Sequence, residues 1–279
     1  MSTHNSAKTQ FLETNGVRYA YRRFGSGSRS PLLCLQHFRG GLDNWDPAVT
    51  DGLAQGGSVI LFNNAGIASS GGEPANNIAD MATHVTAFLD GLGLTQIDLF
   101  GFSMGGFVAQ QVTLDRPRLV RKLILAGTGP QGGEDLAAYS PEVTAQATKE
   151  VPTEESFLYL FFEPTSTSQA AGRAFWQRRN ARRDQDTPTS PAAMAAQAAA
   201  IGAWGAVPEK GRYARLKTIE QPTLVVNGKH DLLVPTVNSY ILQQHLPNAT
   251  LIIYPDSGHG AIFQFSELFV REAQFFLNG

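Results

Sequence analysis

The chain has 279 residues, enough for one large α/β domain or two small ones. Its 22 lysines and arginines against 24 aspartates and glutamates leave a net charge of −2, which gives no electrostatic footprint for nucleic acid or an anionic membrane surface. A single cysteine, Cys34, excludes an intrachain disulfide framework, and no apolar run approaches the roughly 18 residues of a membrane-spanning helix. Near the amino terminus no apolar stretch follows Lys8, so no secretory signal and a cytoplasmic location are expected.

In chain order, Phe11 to Thr14 and Val17 to Phe24 are β-favouring runs on either side of Asn15-Gly16, a hairpin signature. Three apolar runs follow, Leu32 to Leu35, Val59 to Phe62 and Ile97 to Phe100, without the alternation of a half-exposed strand. They read as strands buried on both faces of a parallel sheet. Helices are expected over Pro74 to Gly91 and Ser103 to Leu114, and a fourth such strand over Leu123 to Ala126. From Gln131 to Glu220 no Val/Ile strand is visible; helical stretches are expected at Thr153 to Phe162, Thr167 to Arg183 and Pro191 to Trp204. This insertion holds 10 lysines and arginines and 11 acids, and its arginines, Arg179 among them, read as a solvated helix face. The strand–helix rhythm resumes at Thr223 to Asn227, with a helix over Pro235 to His245, a strand over Thr250 to Tyr254 and a last helix over Ala261 to Leu277. The expected architecture is a mostly parallel, doubly wound α/β sheet with an antiparallel amino-terminal edge. Residues 1–130 and 221–279 form its core and residues 131–220 a helical cap.

The most informative segment is Gly101-Phe102-Ser103-Met104-Gly105. A strand ends, a serine sits between glycines two positions away, and a helix begins. A serine on so sharp a turn projects its hydroxyl, and the helix amino terminus behind it favours developing negative charge. Serine is inert near neutral pH without a base and a group that orients the base. His259, in Ser257-Gly258-His259-Gly260 beyond the last strand, is the best-placed base. Asp231, beyond the preceding strand, is the candidate acid, ahead of Asp256. The glycine excess, 28 residues against the roughly 7% of average usage, is concentrated near these positions.

The order Ser103, Asp231, His259 on such a sheet resembles the serine-nucleophile branch of the α/β-hydrolase superfamily with a helical cap. That resemblance covers nearly the whole chain and implies an eight-stranded sheet and an acyl-enzyme mechanism without cofactor. It also implies an oxyanion hole made by the Met104 N–H and a second N–H from Leu35-Gln36-His37-Phe38-Arg39-Gly40-Gly41. A register anchored on Trp45 makes Phe38 that second donor, and an alternative register makes it Arg39. Family members usually carry Asp-x-Arg-Gly in the segment that here reads Asn63-Asn64-Ala65-Gly66, so a loop held by amide hydrogen bonds is expected in place of an ion pair.

Arg39, Phe102 and Trp204 are candidate substrate contacts. The expected function is hydrolysis of a carboxylic ester or lactone of a small, largely apolar molecule, with the oligomeric state open. C–C bond hydrolysis of a β-diketone-like dienoate and cofactor-free perhydrolysis would use the same triad; a carboxylate-binding arginine under the cap would favour the first. A ligand-binding receptor on a hydrolase scaffold is the non-catalytic alternative. No metal-ligand spacing, phosphate loop or dinucleotide pattern is present in the sequence.

Overall fold

The computed structural model describes residues 2–279. Strands β1 (Gln10–Thr14) and β2 (Val17–Phe24) form the expected antiparallel hairpin. Asn15 and Gly16 turn it with φ of 50° and 76°, the left-handed conformations that a two-residue turn between twisted strands requires. Strand β3 (Arg29–Leu35) leads through α1 (Pro47–Leu53) to β4 (Gly57–Phe62), then α2 (Ile78–Gly91), β5 (Ile97–Phe102), α3 (Met104–Asp115) and β6 (Val120–Ala126). Between β6 and the next strand lie α4 (Pro141–Ala147), α5 (Glu154–Phe161), α6 (Ser166–Arg179) and α7 (Pro191–Gly205). The sheet is completed by β7 (Thr223–Gly228), α8 (Val237–His245) and β8 (Ala249–Tyr254), after which come α9 (Ala261–Gln264) and α10 (Ser266–Asn278).

The eight strands lie in the order β1-β2-β4-β3-β5-β6-β7-β8. Antiparallel pairing is confined to β1–β2 and β2–β4, and every other pair is parallel. Because successive strand residues point to opposite faces, the unbroken apolar runs fill two cores at once. Leu33, Leu35 and Leu99 pack with α2 and α3, whereas Leu32, Cys34, Phe100 and Phe102 pack with α1 and α10. Cys34 is fully buried there, and burial pushes its thiol well above the usual range.

Three helices depart from the expected boundaries by several residues, and α6 is one of them, ending at Arg179 and not at Arg183. The Asn77 side chain accepts from the Asp80 N–H at 2.8 Å and starts α2 four residues after Pro74, since a side-chain cap satisfies an otherwise orphaned first-turn donor. The last helix is broken at Phe265 (φ −106°, ψ 40°), whose ring stacks on Tyr254 at 5.0 Å. No described helix is long and apolar enough to cross a membrane.

The parallel order places the carboxyl ends of β3, β5, β7 and β8 at one edge. Loops leaving these ends carry His37, Ser103, Asp231 and His259, and the helices between β6 and β7 pack over them, with the α5 phenylalanines in the same core as Phe102.

Candidate active site

Ser103 occupies the one-residue turn between β5 and α3 with φ 57° and ψ −124°, a conformation that persists in a non-glycine residue only where its surroundings enforce it. Here they do. The Ser103 N–H donates to the Ala126 carbonyl of β6 at 2.9 Å, and the Ser103 carbonyl accepts from the Gly106 N–H and the Thr128 hydroxyl, both at 2.8 Å. Helix α3 comes so close to the sheet that a Cβ on Gly105 would collide with the Leu35 carbonyl, and one on Gly101 with the Gly105 backbone. The spacing of glycines around the serine is therefore a packing requirement of the turn.

His259 lies between β8 and α9, 1% exposed. Its ring rests against Phe102, centroids 4.9 Å apart, and meets the edge of Phe161 at 5.0 Å. The adjacent Gly260 N–H donates to the Phe161 carbonyl of α5 at 2.7 Å. His259 Nδ1 is 2.8 Å from Asp231 Oδ2. Asp231 is fixed from the other side, because its Oδ1 accepts the Leu233 and Val234 N–H groups at 2.8 and 2.9 Å. A carboxylate at Nδ1 places the proton on that nitrogen and leaves Nε2 with a free lone pair. Nε2 is buried and has no hydrogen-bond partner among the described residues, so no Ser103–His259 hydrogen bond is formed. Asp256, the competing acid, accepts from Thr165 and Thr167 and ties the loop after β8 to the start of α6.

Ser103 and His259 open onto one cavity of about 270 Å³, lined mainly by apolar side chains that include Phe107, Phe157, Leu160, Phe161 and Ile201. Phe38, Met104 and Arg39 also line it. Met104 is the first residue of α3, so its N–H has no acceptor within the helix. The Phe38 N–H has no partner among the described residues, whereas the Arg39 N–H donates to Gln197 Oε1 of α7 at 2.7 Å.

Three expected substrate contacts are placed differently. Phe102 is fully buried beneath the His259 ring, in edge contact with His37 and Phe263, and does not reach the cavity. Trp204 stands behind Phe107, stacked on it at 5.4 Å with its Nε1–H donating to the Gly129 carbonyl, so Phe107 is the ring that faces the cavity. Arg39 does line the cavity, but its guanidinium donates to the carbonyls of Ala147, Lys149 and Glu150 and holds the segment after α4. In the loop after β4, Asn63 Nδ2 donates to Asp186 Oδ2 of the segment between α6 and α7 at 2.6 Å, and Asn64 Nδ2 to the Met81 carbonyl at 3.0 Å.

The cavity also holds two residues not expected there, His37 and Arg179, the second of which the sequence placed on a solvated helix face. His37 Nδ1 donates to the Phe38 carbonyl at 2.7 Å, and burial pulls the ring down to about 3, so it is a neutral group with its Nε2 unpartnered. Arg179, at the end of α6, borders the cavity, while its neighbour Arg178 is held by Asp46 at 2.9 and 2.6 Å. Nothing in a run of arginines on one helix distinguishes the two. The signal lies in Asp46, whose place below α6 requires the folded chain.

Residues 30–266 match the family described as alpha/beta hydrolase fold. The structure is similar over its whole length to an alpha/beta hydrolase fold protein from Chitinophaga pinensis, with 40% identity, a TM-score of 0.93 and full coverage of both chains. Over 260 residues the chain is 27% identical to a dihydrolipoyllysine-residue acetyltransferase component of an acetoin cleaving system from Cupriavidus necator; the match covers 91% of this chain but 65% of that longer protein. It is 29% identical over 181 residues to a pimeloyl-[acyl-carrier protein] methyl ester esterase from Nitrosomonas europaea, covering 61% of this chain and 67% of that one. With the family match spanning most of its length, the chain belongs to the alpha/beta hydrolase fold family.

Proposed function

We propose that the protein is a serine hydrolase that cleaves a carboxylic ester or lactone of a small, largely apolar substrate through an acyl-enzyme intermediate. The observation that carries this reading is the pairing of His259 Nδ1 with Asp231 at 2.8 Å while Nε2 remains free beside the cavity that Ser103 lines. Similarity to a methyl ester esterase supports it.

Ser103 Oγ attacks the carbonyl carbon as His259 Nε2 takes its proton, and Asp231 holds the imidazole tautomer and stabilises the imidazolium. Negative charge developing on the carbonyl oxygen is received by the Met104 and Phe38 N–H groups. The engagement of the Arg39 N–H with Gln197 favours Phe38 as the second donor. His259 then protonates the leaving alcohol, and water activated by the same base releases the acid. Residues 131–220 act as the cap over this centre and supply the apolar wall that desolvates the substrate. Two backbone donors and a buried base are worth most where water is excluded.

A panel of chromogenic esters and lactones, assayed with the native chain and with Ser103→Ala, tests the assignment. Turnover of at least one substrate that disappears with Ser103→Ala is expected. Turnover unchanged in Ser103→Ala would refute it.

A further inference from the structure

The apolar cavity beside Ser103 has a charge pattern of its own. Among the described residues no aspartate or glutamate lines it, and its only cationic side chains are Arg39 and Arg179. The two differ in what they already hold. Arg39 gives its terminal N–H groups to the carbonyls of Ala147, Lys149 and Glu150. Among the described residues Arg179 has no salt-bridge or hydrogen-bond partner, and its Nε is shut off from solvent; the acid whose charge reaches it, Asp43, is already held by Arg22 and lies beside Arg182.

Neighbouring arginines are satisfied by contrast: Arg178 by Asp46, and Arg182 by Asp184 and the His4 and Asn5 carbonyls. The Arg179 guanidinium carbon lies 4.5 Å from the centroid of Phe157 and 4.8 Å from that of Trp176. Ring contacts of this kind engage the flat faces of the guanidinium and leave its N–H edge without an acceptor. Burial pulls Arg179 down to about 10, so it is still a cation near neutral pH. His37, another basic group of the cavity wall, is kept neutral by its burial.

We propose that Arg179 is a specificity-determining residue that binds a carboxylate carried by the substrate, so that the cavity takes a small, mostly apolar molecule with a single negative charge. A planar carboxylate matches the guanidinium fork with two parallel N–H···O bonds. One unpaired cation in an apolar wall suits a monoanion better than a doubly charged phosphate. An arginine of this kind would equally serve C–C hydrolysis of a dienoate carboxylate, and turnover of the ester and lactone panel separates the two; combined with the hydrolysis set out above, on which this part rests, the substrate class is a carboxylate-bearing ester or lactone.

The test measures binding without turnover. The full chain carrying Ser103→Ala is titrated calorimetrically with 4-phenylbutyrate and with its neutral amide, 4-phenylbutyramide. The carboxylate is expected to bind at least roughly tenfold more tightly than the amide, the effect of a charge-assisted hydrogen bond. Adding Arg179→Gln removes that preference, and Arg179→Lys, which keeps the charge but not the fork, retains part of it. Equal affinity for the two probes, binding of neither, or a preference that survives Arg179→Gln overturns the proposal. Should Arg179→Gln fail to fold, as read by circular dichroism, the two-probe comparison and Arg179→Lys decide it. Fluorophosphonate labelling of Ser103 in the native chain keeps the two readings separate. Labelling without a carboxylate preference sinks the subsite alone, and a preference without labelling leaves the subsite and sinks the hydrolysis.

Discussion

The strand ends and the helices of the cap meet at one cavity but are held by different means. At the sheet, backbone mostly meets backbone: Ser103 is fixed by the Ala126 carbonyl and α3 lies against the Leu35 carbonyl with room only for glycine at 105, while the Asp231 carboxylate is gripped by two N–H groups of its own loop. In the cap the ties are mostly side chains, such as Arg178 to Asp46, Arg39 to the carbonyls after α4, Asn63 to Asp186 and Gln197 to the Arg39 N–H. Backbone contacts leave little freedom, while a side-chain tether can be replaced or shifted at modest cost. The strand-end side of the cavity is therefore held more tightly than the side formed by the helices between β6 and β7.

The comparison breaks most sharply at the base. His259→Ala is expected to lower kcat by about 10⁴-fold, because the triad acts as a unit, and also to lower the melting temperature, because it leaves a cavity beside Phe102 and an unpaired buried Asp231 carboxylate. Loss of stability without loss of rate would move His259 from chemistry to packing.

At the sheet edge, Gly105→Ala is expected to cost about 3 kcal/mol, the upper range for forcing extra volume into a packed contact, measured by urea unfolding. Gly202→Ala in the cap, where an added Cβ meets nothing within 4 Å, should be neutral or slightly stabilising, since alanine is the better helix former. Equal costs at the two positions would erase the distinction drawn here.

Acid should expose a third contrast, between the site and the amino-terminal segment. Burial lowers His37 to about 3 and His4 to about 4. His4 packs on Phe24, with its Nδ1 2.9 Å from Thr50 Oγ1 and with Asp43, Arg22 and Arg182 nearby. Both rings bind protons more readily in the unfolded chain. Their contribution is therefore complete above the ordinary histidine value of about 6.5 and is lost as pH falls from there toward the folded values. Each should remove about 2 kcal/mol between pH 6.5 and 5. His4→Gln should flatten that decline in unfolding experiments without changing the rate of ester hydrolysis at pH 8. A stability profile unaltered by His4→Gln would contradict the assignment.

Smaller than at Gly105 should be the change at a cap tether. Arg39→Ala removes the three N–H···O=C contacts to residues 147–150 and is expected to cost about 1–2 kcal/mol, with a rise in KM of several-fold and a smaller change in kcat. A fall in kcat comparable to that of His259→Ala would place Arg39 in the chemistry.

The same division explains what could be read from the sequence. The buried runs of β3 to β7 and the turn at Ser103 were legible because each rests on a local pattern: an unbroken apolar run, and a serine between glycines at a strand end. His259 and Asp231 follow from being the histidine and acid that loops present beyond successive strands. Cap placements were less legible. Phe107 and Trp204 are both aromatic residues on helices, and only the packing of α7 on α3 sets Phe107 at the cavity with Trp204 behind it. Arg178 and Arg179 differ by one helical step, and Asp46, 132 residues away in sequence, decides which of them is paired. Helix α4 was not anticipated, since its seven residues are too few to show a periodicity against the turns around them. Nor was the break at Phe265, which depends on the Tyr254 ring it meets.

The most direct test of the central claim is mass spectrometry of the native chain after exposure to an alkyl fluorophosphonate, with Ser103→Ala and His259→Ala alongside. The account predicts a single phosphonyl adduct that maps to the peptide containing Ser103, is absent from Ser103→Ala and forms far more slowly in His259→Ala. An unmodified native chain, or an adduct that persists in Ser103→Ala, would contradict it.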